Sequence, residues 1–224
     1  PEDKNTAGSS DTKGTQFMFP LRTDTSSYDG TNAVSIACAY NVNAVLLDTG
    51  KIVTFGKKQR PTGYPAVGDS QSDTLQPTDM PPQGGYDGTN AKSICLGIRH
   101  GLIILNDNSV ISSVVKLSTQ PEYNYGEAGR IITNGDQRNY AAIDSSLFPS
   151  AVNNIFSADY VSYFLLENGE LYGCGRNNYN NVSDYTSSIL QTPKSIITLQ
   201  ESSESYDKTN IIVFNQIAKY TYLN

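Results

Sequence analysis

Tryptophan is absent from this 224-residue chain and histidine occurs once. No apolar run approaches the roughly 18 residues that a membrane-crossing helix needs, so no spanning helix is expected. The lone histidine, His100, limits a metal site to one imidazole and would force any Ser-His-Asp chemistry through that single residue. Basic residues are few: 16 Lys and Arg face 22 Asp and Glu, a formal charge of −6. That balance argues against nucleic acid as a partner, because a phosphate-tracking surface needs clustered cations. The one basic cluster, Lys57-Lys58-Gln59-Arg60, reads as a solvated loop. No stretch repeats its apolar residues at the 3.6-residue spacing of an amphipathic helix. Pro1 is not an initiating residue, so the chain reads as processed or trimmed, and a secretion signal would already be gone.

What is present is a repeat. Tyr28-Asp29-Gly30-Thr31-Asn32-Ala33-Val34-Ser35-Ile36 returns 58 residues later as Tyr86-Asp87-Gly88-Thr89-Asn90-Ala91-Lys92-Ser93-Ile94, with eight of nine positions identical. A fixed period of this size signals stacked or circular supersecondary units. The offset continues without a gap, laying Val45-Leu46-Leu47-Asp48 over Ile103-Ile104-Leu105-Asn106. A third copy stands 119 residues from the first, with Phe164-Leu165-Leu166-Glu167 over Val45 to Asp48. A fourth opens at Tyr206-Asp207-Lys208-Thr209-Asn210, and Phe214 to Leu223 lie over Phe156 to Leu165. The units therefore run about 28–85, 86–146, 147–205 and 206–224, with residues 11–19 as a candidate strand completing the last and residues 1–13 as a flexible arm.

Each unit reads as strand, link, strand, tight turn, strand, because apolar runs of about five residues bounded by Gly, Asn and Asp suit strands and are too short for helices. Asp48-Thr49-Gly50 and Asn168-Gly169 provide the hairpin turns, and Asn134-Gly135 marks a further hairpin in the second unit. The repeated Tyr-Asp-Gly-Thr-Asn phrase reads as a turn in which Asp caps main-chain N–H groups and Gly takes positive φ. A sugar or ion held once per unit is the sharper alternative. Cys38 and Cys95 close the first strand of two units and Cys174 lies in the third strand of another, so buried free thiols are expected, and no C-x-x-C spacing points to zinc.

In the third unit, Asn168-Gly169-Glu170-Leu171-Tyr172-Gly173-Cys174-Gly175-Arg176-Asn177 resembles the hallmark of the RCC1 (regulator of chromosome condensation) repeat. Cys95-Leu96-Gly97-Ile98-Arg99-His100-Gly101-Leu102 resembles that family's histidine-bearing segment, and Thr192 to Leu199 its inter-blade link. Asn180 stands where the family has a glycine, a tolerable exchange because Asn also visits the left-handed region. The resemblance covers residues 28–224. It implies an all-β propeller of four-stranded blades, with three full blades and a partial fourth closed by the N-terminal strand or by a partner chain. An arc completed by partners is favoured over a self-closed ring of four, because four blades would be unusual for the family; either arrangement covers strand edges that would otherwise template aggregation. His100 then matches a structural histidine.

Chemistry is sparse. Glu167 and Glu170 flank a hairpin tip, and Asn106-Asp107-Asn108-Ser109 lacks the downstream Gly and Glu of a calcium loop, so both read as turns. Asn181-Val182-Ser183 is a formal glycosylation sequon. Neither a cofactor nor an enzymatic activity is expected. Recognition is expected on the connections after the third strands, residues 57–85 and 114–150, where Tyr64, Tyr123, Tyr125, Arg130, Arg138 and Tyr140 offer interface chemistry on a rigid scaffold. The expected function is a non-enzymatic scaffold for protein binding or self-assembly. Composition suggests a virion or cell-surface component, extracellular rather than cytoplasmic. The alternatives are an intracellular RCC1-like regulatory module, of the GTPase-exchange or enzyme-inhibitor type that the resemblance implies, and a carbohydrate-binding propeller.

Overall fold

The computed structural model describes residues 26–39, 42–56, 74–114, 125–132, 139–178, 182 and 187–196. They form three sheets, each of four antiparallel strands in sequential order. Blade 1 comprises β1 (Ala33–Ala39), β2 (Val42–Leu47), β3 (Ile52–Gly56) and β4 (Thr74–Asp79). Blade 2 comprises β5 (Ala91–Leu96), β6 (His100–Leu105), β7 (Val110–Val114) and β8 (Ala141–Ala142). Blade 3 comprises β9 (Val152–Ala158), β10 (Val161–Leu166), β11 (Leu171–Arg176) and β12 (Ile189–Ser195). The first strands are innermost, with β1 packed on β5 and β5 on β9.

The sequence repeat is carried into strand register. Ile36 pairs with Val45, Ile94 with Ile103 and Ile155 with Phe164, the same position in each blade. Even the irregularity at the start of the first strand recurs, between Ala33 and Ser35 and again between Ala91 and Ser93.

The Tyr-Asp-Gly-Thr-Asn phrase is a structural turn. Asp29 Oδ1 accepts from Thr31 N at 2.7 Å and Asn32 N at 3.0 Å, while Asn32 Oδ1 accepts from Asp29 N at 3.1 Å. Asp87 repeats this with Thr89 N at 2.7 Å, and Asn90 Oδ1 accepts from Asp87 N at 3.0 Å. Gly30 and Gly88 take φ of 97° and 100°, which β-carbon-bearing residues adopt only under strain. Asp107 builds a comparable turn, accepting from Ser109 N at 2.9 Å, with Asn108 at φ 65°.

Stacking decides burial. In blade 2, sandwiched between neighbours, every residue of β6 and β7 is buried. In β2 and β10 buried and half-buried residues largely alternate, because among the described residues blades 1 and 3 each have a neighbour on one face only. The seam between blades 1 and 2 joins Ala37, Val42, Ala44, Leu46 and Ile52 to Ile94, Leu96, Ile103, Leu105 and Ile111. The seam between blades 2 and 3 joins Leu102, Ile104 and Val110 to Ile155, Phe164 and Leu166. Each such fully buried aliphatic side chain contributes about 1.5–3 kcal/mol.

The four-stranded blades that the resemblance implies are present, and two local readings change. The fourth, outermost strand of each blade falls inside stretches read as loops or links. Cys38 is exposed and Cys95 half-buried, leaving only Cys174 buried, and all three thiols are free. Cys38 lies on the inner strand of the blade whose leading face is uncovered, so the burial expected for it is not supplied. The expected strand at 11–19, the fourth unit at 206–224, the hairpin at Asn134-Gly135, the basic cluster at 57–60 and the arm at 1–13 lie outside the described residues.

Candidate interaction surface

All β-links between first and second strands, and all long connections between third and fourth strands, leave the blades at the same end. The tight hairpins Asp48–Gly50, Asn106–Asn108 and Glu167–Gly169 occupy the opposite end. That end also carries the links between blades, residues 80–90 and 143–151, so the ends differ in that the longest connections leave from the other.

At the long-connection end, four side chains bridge blades 2 and 3. The Arg99 guanidinium lies 5.7 Å from the centre of the Tyr160 ring. Tyr160 meets Tyr125 edge to face at 4.9 Å, and Arg176 lies 5.3 Å from the Tyr125 ring. The result is a ladder, Arg99–Tyr160–Tyr125–Arg176, with every member half-buried. Cation–π and edge-to-face contacts hold such side chains in place.

Backbone fixes the ladder. Arg176 N donates to Tyr160 O at 2.9 Å, and Ile98 N donates to Asp159 O at 3.1 Å across the blade seam. Gly175, at φ 113°, permits the close approach, since a Cβ there would lie 2.2 Å from Tyr160 O.

Beneath the ladder, the connection Tyr125–Ile132 clasps both blades. Ser162 Oγ of β10 donates to Glu127 O at 2.6 Å. Arg130 reaches back to blade 2, donating from Nε to Ser112 Oγ at 3.0 Å and from Nη2 to Ser112 O at 3.1 Å and Asn139 O at 3.2 Å. The Glu127 side chain is fully buried, and neither carboxylate oxygen completes a hydrogen bond. Burial pushes its pKa up to about 7, against the pull of the Glu127 and Tyr125 main-chain N–H groups and the Arg99 charge. His100 is also wholly buried, beside Gly97, and burial drives its pKa down to about 3 with only the Val161 main chain opposing. It is a neutral packing residue.

Of the residues singled out in the sequence, Tyr125 stands in the ladder. Arg130 is buried in the clasp, and Tyr140 is buried in the seam between blades 1 and 2, so both serve the packing here. Tyr64, Tyr123 and Arg138 lie outside the described residues. Arg99, Tyr160 and Arg176 were missed. A sequence signal existed: Arg99 and Tyr160 each immediately precede the second strand of their units, and Gly126-x-x-Gly129 announces a close-packed turn after β7. Among the described residues no group of three or more His, Cys, Asp or Glu could hold a metal ion, and no helix is long and apolar enough to cross a membrane.

No family model matches the chain, and no curated protein matches it at a significant level. Solved structures do. Human WBSCR16 superposes with a TM-score of 0.58 at 18% identity, over 73% of this chain and 40% of that one. Prp20p from Saccharomyces cerevisiae gives 0.58 at 15% identity, over 75% of this chain and 39% of that one. The yeast RCC1 (Prp20) chain bound to Kap60 gives 0.60 at 17% identity, over 77% and 39%. The chain thus spans about two fifths of the length of the propellers it matches. In fold, the described residues are three consecutive blades of an RCC1-like β-propeller.

Proposed function

We propose that this chain is a protein-binding propeller module whose recognition surface is the long-connection end of blades 2 and 3, centred on the Arg99–Tyr160–Tyr125–Arg176 ladder. The ladder itself carries the reading. Tyr and Arg are the side chains most enriched among interface residues that dominate binding energy, and here they are pre-ordered and half-buried on a rigid scaffold. Two guanidinium groups on an otherwise acidic chain favour a partner surface that offers carboxylates beside an apolar patch. The fold is compatible with such use: solved structures of Prp20 concern its binding to Gsp1p and histones and its complex with Kap60. A non-enzymatic role agrees with the burial of the sole histidine, which leaves it no route to a substrate.

The test is affinity capture with the wild-type chain and with a Tyr125→Ala/Arg176→Ala variant, followed by titration of each purified captured protein. The reading expects a partner whose affinity falls at least about tenfold in the variant, the scale of one or two lost hot-spot contacts. A partner bound equally by both proteins would place recognition elsewhere.

A further inference from the structure

The leading face of blade 1, the face turned away from blade 2, has the register of a blade seam, but among the described residues no blade lies upon it. Ile36, Ile94 and Ile155 hold one position in the three units; Ile94 and Ile155 are each 6% exposed beneath the preceding blade, whereas Ile36 is 63% exposed. Val45 corresponds to Ile103 and Phe164, both fully buried, yet is itself half-buried. Tyr28 corresponds to Tyr86, which is buried with its hydroxyl accepting from Ile52 N at 2.9 Å on the preceding blade. Tyr28 is half-exposed. With Phe55 these side chains line an apolar groove of about 400 Å³ over Val53.

The other end of the described arc shows the mate of that face. Ala44, Leu46 and Ile52 are the trailing residues that blade 1 offers to blade 2, and all are buried; their counterparts Tyr163, Leu165 and Leu171 on blade 3 are half-buried. The three described blades lie over only about two fifths of the propellers they match, so blade 3 itself does not meet blade 1 of the same molecule.

We propose that the leading face of blade 1 is an assembly surface that takes the trailing end of a second copy of this chain, head to tail, remaking the seam already formed twice within it. Such a heterologous contact closes a ring when the rotation allows. The seam buries Ile36, Val45 and Phe55 and gives the Tyr28 hydroxyl the place that Tyr86 occupies. Val34, 61% exposed, lines the same groove.

The experiment is the solution mass of the full chain by light scattering at micromolar concentration. Wild type is expected as a defined oligomer, and Ile36→Glu as the single-chain mass with an unchanged circular dichroism spectrum. Ile131→Lys, exposed on the Tyr125–Ile132 connection and outside the groove, is expected to leave the oligomer intact. In a Cys38→Ser background, a short thiol–thiol cross-linker is expected to join Ile36→Cys chains to Leu171→Cys chains only when the two proteins are mixed. A wild-type chain of single-chain mass would overturn the proposal, meaning that some other occupant covers the face. So would an oligomer indifferent to Ile36→Glu, dissociation by Ile131→Lys, or no cross-link between the mixed Ile36→Cys and Leu171→Cys chains.

Discussion

The Tyr86 hydroxyl accepts a 2.9 Å hydrogen bond from the Ile52 main-chain N–H, and both residues are buried in the seam between blades 1 and 2. The second copy of the repeated turn thus delivers its tyrosine to a strand of the preceding blade. Burial pushes the Tyr86 pKa to about 12, so the hydroxyl stays neutral and the bond persists through the physiological range.

Tyr86→Phe is expected to cost about 1–3 kcal/mol, because it leaves the Ile52 N–H buried without an acceptor while preserving ring packing. Urea denaturation monitored by circular dichroism reads this directly. A change under about 0.3 kcal/mol would mean that the seam does not depend on the bond.

Glu127 makes stability fall with rising pH. Its folded pKa of about 7 lies above the ordinary 4.5, so the folded state holds the proton more tightly than the unfolded chain does. The Glu127 contribution to stability is therefore greatest below about 4.5, declines between there and about 7, and levels off above, a loss of at most about 3 kcal/mol from this group. Glu127→Gln should flatten that slope and raise the melting temperature at pH 8. An unchanged profile would show that the carboxyl finds compensation in the folded state.

Gly175→Ala should disable recognition and folding together. Its added Cβ would lie 2.2 Å from Tyr160 O at a φ of 113°, so Tyr160 must shift or the strand must yield. A loss of about 2 kcal/mol or more is expected from strain and displacement combined. Tyr125→Ala, at a half-buried position, should cost less than this, and equal costs would contradict the assigned packing.

Arg130→Met separates the clasp from the ladder. Removing three hydrogen bonds from a buried guanidinium, to Ser112 and Asn139, should cost about 2–4 kcal/mol in denaturant melts. A neutral effect would mean that the Tyr125–Ile132 connection is held by Glu127 and Ser162 alone.

Sequence exposed the inner architecture well because the inner three strands of each blade repeat at a fixed offset, and Asp29 and Asp87 perform one task twice. The outer strands were hidden for physical reasons. β4 contains Pro77, β12 contains Pro193 and β8 spans only two residues. Edge strands tolerate proline and short length because one side needs no partner, so they carry little strand signal. The ladder was hidden differently: Arg99, Tyr125, Tyr160 and Arg176 come from four separate segments, and no repeated phrase links them. Composition also could not separate Arg130 and Tyr140, which pack inward, from Tyr125, which does not.

The most direct test places a photo-activated cross-linking residue at Tyr125 and, separately, at Asp107 on the opposite end, in the full chain expressed in its own cells. The account predicts discrete protein adducts from the Tyr125 position and none from Asp107. Adducts from Asp107 alone, or equal adducts from both, would contradict the claim that the long-connection end is the recognition surface.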